Sequence, residues 1–493
     1  MRERLTTPPA PEVIQHLYGP RLGRHKQTLF KAMLAADFAH VVMLVQQGIV
    51  TRGIGKQLLQ GLKTLVTEGP DAVNWDPRLE DMHFNLEAWL IEKIGAEAGG
   101  RLHTGRSRND LYATLSRMDV REKLISAGLD LAGLREAIQV LAEANADTIF
   151  TGYTHLQPAQ PITFGHYLSA VAAALQRENI RLTAAYITTN RSSLGACALA
   201  GTSFPIDRER VADLLGFEGV VINTIDAVAT RDYLGDALFS LAMAGTVLSR
   251  LATDLYQWCS FEYAYLELSD ATAGTSSIMP QKKNPFVLEH VRSKVAHLDA
   301  ALLSSLTSWK GVAYTHNQEI AGESEHLVED AFEQFGAASE LMCCAVKGLK
   351  VNAARMRQAL DQNLAVATDF ADALVQEGGL PFRVAHQVLG LAVRQTVERP
   401  GSRLDGNAVL SILKDMGIPT SLSADRLNAL ALPETAVKRR SHPGGPEPGE
   451  VRRQLVELQE RLAADRQAWL DKRTHLLEAE KRLDYAVEAV IQG

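Results

Sequence analysis

Residues Gly274–Glu289 read GTSSIMPQKKNPFVLE, and the rest of the chain is organised around them. Gly274, Pro280 and Pro285 break any helix across this span, so the sequence predicts an ordered or semi-ordered loop with helical text resuming at Phe286. The loop carries two hydroxyls (Ser276, Ser277), two ammonium groups (Lys282, Lys283) and the Asn284 amide. Hydroxyls and backbone N–H groups can approach a carboxylate, while Lys282 supplies charge and Asn284 a directed donor. Residue types alone divide evenly between an anion-binding loop and a solvated polar one.

Working outward, the 493-residue chain is long enough to bury a large core. Leu, Ala, Arg and Glu dominate and aromatics make up 6%, which reads as a mainly helical protein. A formal charge of −7 weighs against nucleic-acid binding, although a local basic patch stays open. Cys197, Cys259, Cys343 and Cys344 have neither metal-ligand nor disulfide-framework spacing, which implies a reduced compartment and no metal. The N-terminal MRERLTTPPAPEVIQ has no apolar core of signal-peptide length, and no run approaches the ~20 apolar residues of a membrane span. A cytoplasmic protein without a membrane partner is expected.

Along the chain, Pro8, Pro9, Pro11 and Pro20 make residues 1–20 a poorly ordered lead-in. Helices are expected over Leu29–Gln47, Ile54–Val66, Glu80–Ile94, Leu111–Ala146, Thr163–Thr188, Asp226–Glu262 and Phe286–Trp309. Segments of that length, joined by short polar motifs, predict an elongated all-α bundle, packed in part against other subunits. The domain expectation is an N-terminal helical domain over 1–106, a central long-helix bundle over 107–360 and a smaller helical domain over 361–445. Residues 446–493 add a terminal helix. Glu450–Val490 contains neither Gly nor Pro, and Leu455, Leu458, Leu462, Trp469, Leu476 and Leu483 give an imperfect heptad. Asp465 and Lys472 interrupt that seam, favouring an amphipathic helix on the body over a free coiled coil.

Two further blocks carry chemistry. HTGRSRND (His103–Asp110) offers the forked guanidinium groups of Arg106 and Arg108 beside Ser107 and Asn109. Unaided, it also reads as an ordinary helix N-terminus. GYTHLQPAQPITFGH (Gly152–His166) places Thr154 and His155 just before a helix whose start Pro158 and Pro161 mark. An imidazole titrates near neutrality, so His155 suits proton transfer, but a lone histidine is more often a structural hydrogen-bonding group.

The loop resembles the Gly-Ser-Ser-x-Met-Pro-x-Lys-x-Asn loop of the fumarase/aspartase superfamily, and its Gln-Lys-Lys-Asn-Pro tail resembles the argininosuccinate lyase branch. SSLGACALAGTSFPIDRE (Ser192–Glu209), DAVATRDY (Asp226–Tyr233), ATDFADALV (Ala367–Val375) and GLPFRVAH (Gly379–His386) extend the likeness over most of the body. It implies an elongated helical lyase fold and a homotetramer whose subunits pool the three blocks. The implied reaction is anti β-elimination of fumarate from an N-substituted aspartate, by default argininosuccinate, with no metal or organic cofactor. In that likeness Ser276 removes a Cβ proton, Lys282 and Asn284 hold the carboxylate, and Glu289 tunes His155, which serves the leaving nitrogen. Ser107, Arg108, Asn109, Thr154, Gln157, Arg231, Tyr314 and Glu319 fall at substrate-contacting positions, and Lys283 reads as a surface charge. Some members of the superfamily are non-catalytic crystallins, a reading against which the joint presence of Ser276, His155, Lys282 and Glu289 speaks.

The likeness breaks at the amine end. The family's loop glycine falls on Thr275, which predicts a stiffer or shifted loop. Ala313–Gly322 keeps the tyrosine, Tyr314, but puts Glu319 where the family has glutamine and Gly322 where it has lysine. A family aspartate aligns loosely with Lys26. The fumarate half is therefore matched and the amine half is not, so another aspartate adduct in a specialised pathway stands beside argininosuccinate.

Overall fold

The computed structural model describes residues 4–399 and 404–493; residues 1–3 of the expected lead-in and 400–403 of the expected C-terminal unit lie outside them. From Pro11 the chain is helical rather than a loose lead-in. Turns over Pro11–Val13 and Ile14–Tyr18 run into α1 (Gly19–Thr28). Pro11 opens the first turn, where no helical N–H is required. Pro20 follows a widened turn closed by the Gly19 N–H on the Ile14 carbonyl. Three helices come next: α2 (Phe30–Gln46), α3 (Arg52–Glu68) and α4 (Met82–Ile94). Met33, Leu58, Leu62, Leu86 and Trp89 bury their shared core. Asp81 caps α4 by accepting the Phe84 N–H at 3.0 Å.

The block at His103–Asp110 is the entrance to α5 (Arg108–Ala144). Ser107 is its N-cap: its Oγ accepts the Asn109 N–H at 3.3 Å, and its own N–H donates to Asp110 Oδ1 at 2.9 Å. Where the sequence reading ran Thr154 and His155 directly into a helix, a hairpin intervenes. β1 (Ile149–Thr154) pairs antiparallel with β2 (Gln157–Thr163), and α6 (Phe164–Thr189) begins only after it. IFTGYT is rich in β-branched and aromatic residues, and Pro158 and Pro161 are tolerated because every strand of a two-stranded sheet has a free edge.

Four long helices complete the body: α7 (Asp232–Trp258), α8 (Phe286–Trp309), α9 (Glu325–Lys347) and α10 (Pro448–Gln492). The expected helix from Asp226 is split, because Thr224–Ala229 forms a separate short helix. Helices α5 to α9 pack along their lengths around Leu131, Leu175, Leu241, Leu248, Leu288 and Phe335. A separate apolar cluster holds Phe370, Leu374, Val388, Val409 and Leu427. α10 belongs to two cores at once. Val451, Leu455, Leu458 and Trp469 enter the bundle, whereas Leu483, Ala486 and Val487 enter the N-terminal cluster. Asp465, which interrupted the heptad, accepts a hydrogen bond from the buried Arg135 at 2.7 Å. By length and composition α7 is apolar enough to cross a membrane, yet 56% of its most apolar window is buried inside the protein.

Candidate active site

The catalytic-looking loop is closed by its own backbone. Gly274 and Asn284 exchange N–H···O bonds of 2.8 Å in each direction, and an added Cβ at Gly274 would stand 2.9 Å from the Phe286 ring. Inside this closure Ser276 Oγ accepts the N–H of Met279 at 3.0 Å and of Ile278 at 3.4 Å. Two amides therefore converge on the oxygen that the elimination would require to carry negative charge. Thr275 is absent from the residues with positive φ, so the turn does not need the family's glycine there. Lys283 anchors the loop to Glu267 (2.6 Å) and Asp270 (2.7 Å) and is a structural charge. Lys282 stays exposed, and the Asn284 amide donates to the Thr275 carbonyl at 3.3 Å. Glu289, in the first turn of α8, accepts a hydrogen bond from Tyr256, whose hydroxyl is held above its ordinary range by that carboxylate.

His155 sits at the tip of the β1–β2 hairpin, where Thr154 pairs with Gln157 across a two-residue turn. His155 (φ 54°) and Leu156 (φ 59°) both occupy the left-handed region, the conformation of a type I′ turn. Neither is glycine, so the turn holds strain of order 1–2 kcal/mol per residue. All four residues, Thr154 to Gln157, are exposed.

The third block opens on a chamber of about 500 Å³. Arg108 and Asn109 line it, and the Arg108 guanidinium donates to Glu80 (3.1 Å) and Asp81 (2.7 Å) while lying over the Phe84 ring. Ser107 Oγ accepts the capping N–H of α5, and Asn109 Nδ2 reaches the Ala198 carbonyl at 3.2 Å. Arg231 is 4% exposed, donates to the Thr230 carbonyl at 2.7 Å and presses with its charge on His316 in the chamber wall. Tyr314 lies on a neighbouring groove and donates to Asp226 at 2.6 Å. Gln318, Gly322 and Glu323 line the chamber, whereas Glu319 on the same turn is exposed. Lys26 does not line the chamber and pairs with Asp71 at 2.8 Å. Sequence reading missed His16, Arg21 and Arg24 because the prolines around them concealed a helix. The missing signal was Pro at a first helical turn.

Among the described residues, no hydrogen bond links His155, Ser276 and Arg108 within one chain, and the chamber at Arg108 is lined by neither His155 nor Ser276.

A lyase family model matches residues 21–298, and an argininosuccinate lyase C-terminal model matches residues 364–415. The chain is 38% identical over 481 residues to argininosuccinate lyase 1 of Shouchella clausii, covering 97% of each protein. It is 37% identical to the argininosuccinate lyase of Methanocaldococcus jannaschii, over 88% of this chain and 89% of that one. A crystal structure of EDDS lyase in complex with formate superposes with a TM-score of 0.89 at 32% identity, over 99% of this chain and 97% of that chain. With an all-α lyase fold and full-length likeness on the page, the chain belongs to the argininosuccinate lyase branch of the fumarase/aspartase superfamily and is a carbon–nitrogen lyase that releases fumarate.

Proposed function

We propose that elimination runs through Ser276 as base on an N-substituted aspartate, in a homotetramer whose subunits pool the three blocks. The observation carrying this is the pair of amides on Ser276 Oγ. A serine hydroxyl is a weak base unless its oxyanion is stabilised, and two fixed N–H dipoles supply part of that stabilisation, with Lys282 of the same loop as a source of positive charge. Ser276 takes the Cβ proton, the C–H electron pair becomes the new C=C bond, and the C–N pair leaves with nitrogen. His155, directly or through a water, returns a proton to that nitrogen, with Glu289 of a neighbouring subunit holding its ring. Asn284 and Thr154 bind the carboxylates, and Ser107, Arg108, Asn109, Gln157, Arg231, Tyr314 and Glu319 complete the substrate contacts. The setting is cytoplasmic.

Argininosuccinate is the first substrate to assay, since the relatives bear that name. A second reading, a different aspartate adduct, is favoured by the altered Thr315–Gly322 wall and by the likeness to EDDS lyase. Fumarate absorbance on both kinds of adduct tests the proposal, with Ser276→Ala as control. Fumarate release that survives Ser276→Ala undiminished refutes the role of the loop.

A further inference from the structure

Resting on that reading, the placement of Ser107, Arg108 and Asn109 depends on the loop just before them, and α2 grips that loop at two points. Asp37 and His40 stand three residues apart on α2 and so share one face. Asp37 Oδ1 accepts a hydrogen bond from Arg106 Nη2 at 2.5 Å, and both side chains are 0% exposed. His40 Nε2 donates to the Thr104 carbonyl at 2.8 Å. Between the two grips Gly105 takes φ 75°, where an added Cβ would also stand 3.2 Å from Ile206. Just beyond them Asp110 holds the Ser107 N–H at 2.9 Å and accepts the N–H groups of Gly195 (2.8 Å) and Cys197 (2.9 Å). The chain therefore enters α5 between fixed points on both sides of the block.

Arg106, which the residue pattern offers to an anion, is turned inward instead. Its Nε and Nη1 are buried without an acceptor, and Asp37 is the carboxylate paired with it among the described residues. A buried ion pair is weak ground for stability, since apolar side chains of similar volume often serve a core as well or better. What the pair supplies is direction, because one charged bond fixes where Arg106 and its backbone lie. The neighbouring imidazoles do not disturb it. Burial first, then the Arg106 charge, lowers His40, His83 and His103, the last to about 4, so no further cation competes for Asp37.

We infer that Asp37, Arg106 and His40 are positioning residues for the elimination: they fix the backbone through which Ser107, Arg108 and Asn109 meet the dicarboxylate, and Arg106 itself touches no substrate.

Calorimetric titration of the purified full-length protein with fumarate, beside urea unfolding, tests this. Asn109→Ala removes a direct contact, sets the reference and should weaken fumarate binding by about tenfold. Asp37→Leu combined with Arg106→Met should unfold at the urea midpoint of the unaltered protein yet weaken fumarate by about tenfold or more. His40→Leu should weaken fumarate as well, whereas His40→Gln, which keeps a donor for Thr104, should bind it as the unaltered protein does. A folded Asp37→Leu, Arg106→Met protein with normal fumarate affinity, or a His40→Gln protein no better than His40→Leu, overturns the inference and leaves the elimination standing. If the paired variant fails to fold, the two His40 variants decide by the same readout. Unchanged fumarate binding in Asn109→Ala overturns the substrate role of the block, and this inference with it.

Discussion

Ser276 shows how far a residue type can be read and where reading stops. A hydroxyl beside lysine and asparagine was legible in GTSSIMPQKKN, but the two amides converging on its oxygen come from the loop's closure at Gly274 and Asn284. Ser276→Ala and His155→Asn are each expected to lower kcat by about 10³-fold or more with no change in thermal unfolding. Steady-state assay beside calorimetry checks both halves. His103 carries a pH prediction. Burial and the Arg106 and Arg108 charges hold it down to about 4, below its ordinary value near 6.5. The unfolded chain therefore binds the proton first, and stability is lost as pH falls from 6.5 towards 4. The loss is about 2 kcal/mol by pH 5, flat below 4. Denaturant midpoints measured from pH 7.5 to 5 should show that slope, and His103→Gln should reduce it.

Among the elements, helices were the legible part, because apolar periodicity and breakers are local properties. Phe286–Trp309 begins and ends where its text predicts. The hairpin was hidden: Pro158 and Pro161 signalled a helix start, whereas their tolerance on edge strands depends on which strand lies beside them. Its turn gives a stability prediction. Leu156 is 63% exposed at φ 59°, so Leu156→Gly relieves backbone strain without loss of packing, whereas Leu156→Val adds a β-branch where the chain least accepts one. The two variants should differ by about 1–2 kcal/mol in chemical denaturation, with Gly the more stable. On α5, Gly128 is covered by the buried Trp469 indole, 2.2 Å from where a Cβ would stand. Alanine normally favours a helix by about 1 kcal/mol over glycine. Here the ring is fixed by its 2.8 Å bond to Asn179, so Gly128→Ala should destabilise by about 2 kcal/mol.

For the whole molecule, the proposed pooling of the three blocks by different subunits is testable. If Ser276 and His155 of different subunits serve one site, co-expressed Ser276→Ala and His155→Asn chains regain activity that neither has alone. Random mixing leaves both groups intact in about a quarter of the sites, so about a quarter of the full rate is expected. Recovery at the level of either variant alone would refute pooling. The same scale explains α10. Its Trp469 and Val487 enter different cores, so it ties the bundle to the N-terminal cluster, and a heptad that looked faulty at Asp465 is completed by Arg135 across the interface.

By itself the sequence determined the helical class, the long bundle and the chemistry-bearing loop, since helix periodicity and short motifs are written within a few turns of chain. Tertiary structure alone decided that the proline-rich lead-in is a helix facing a chamber and that His155 rides a strained hairpin. Those outcomes depend on contacts between residues distant along the chain, such as Arg21 with Gln318, whose proximity no local pattern encodes.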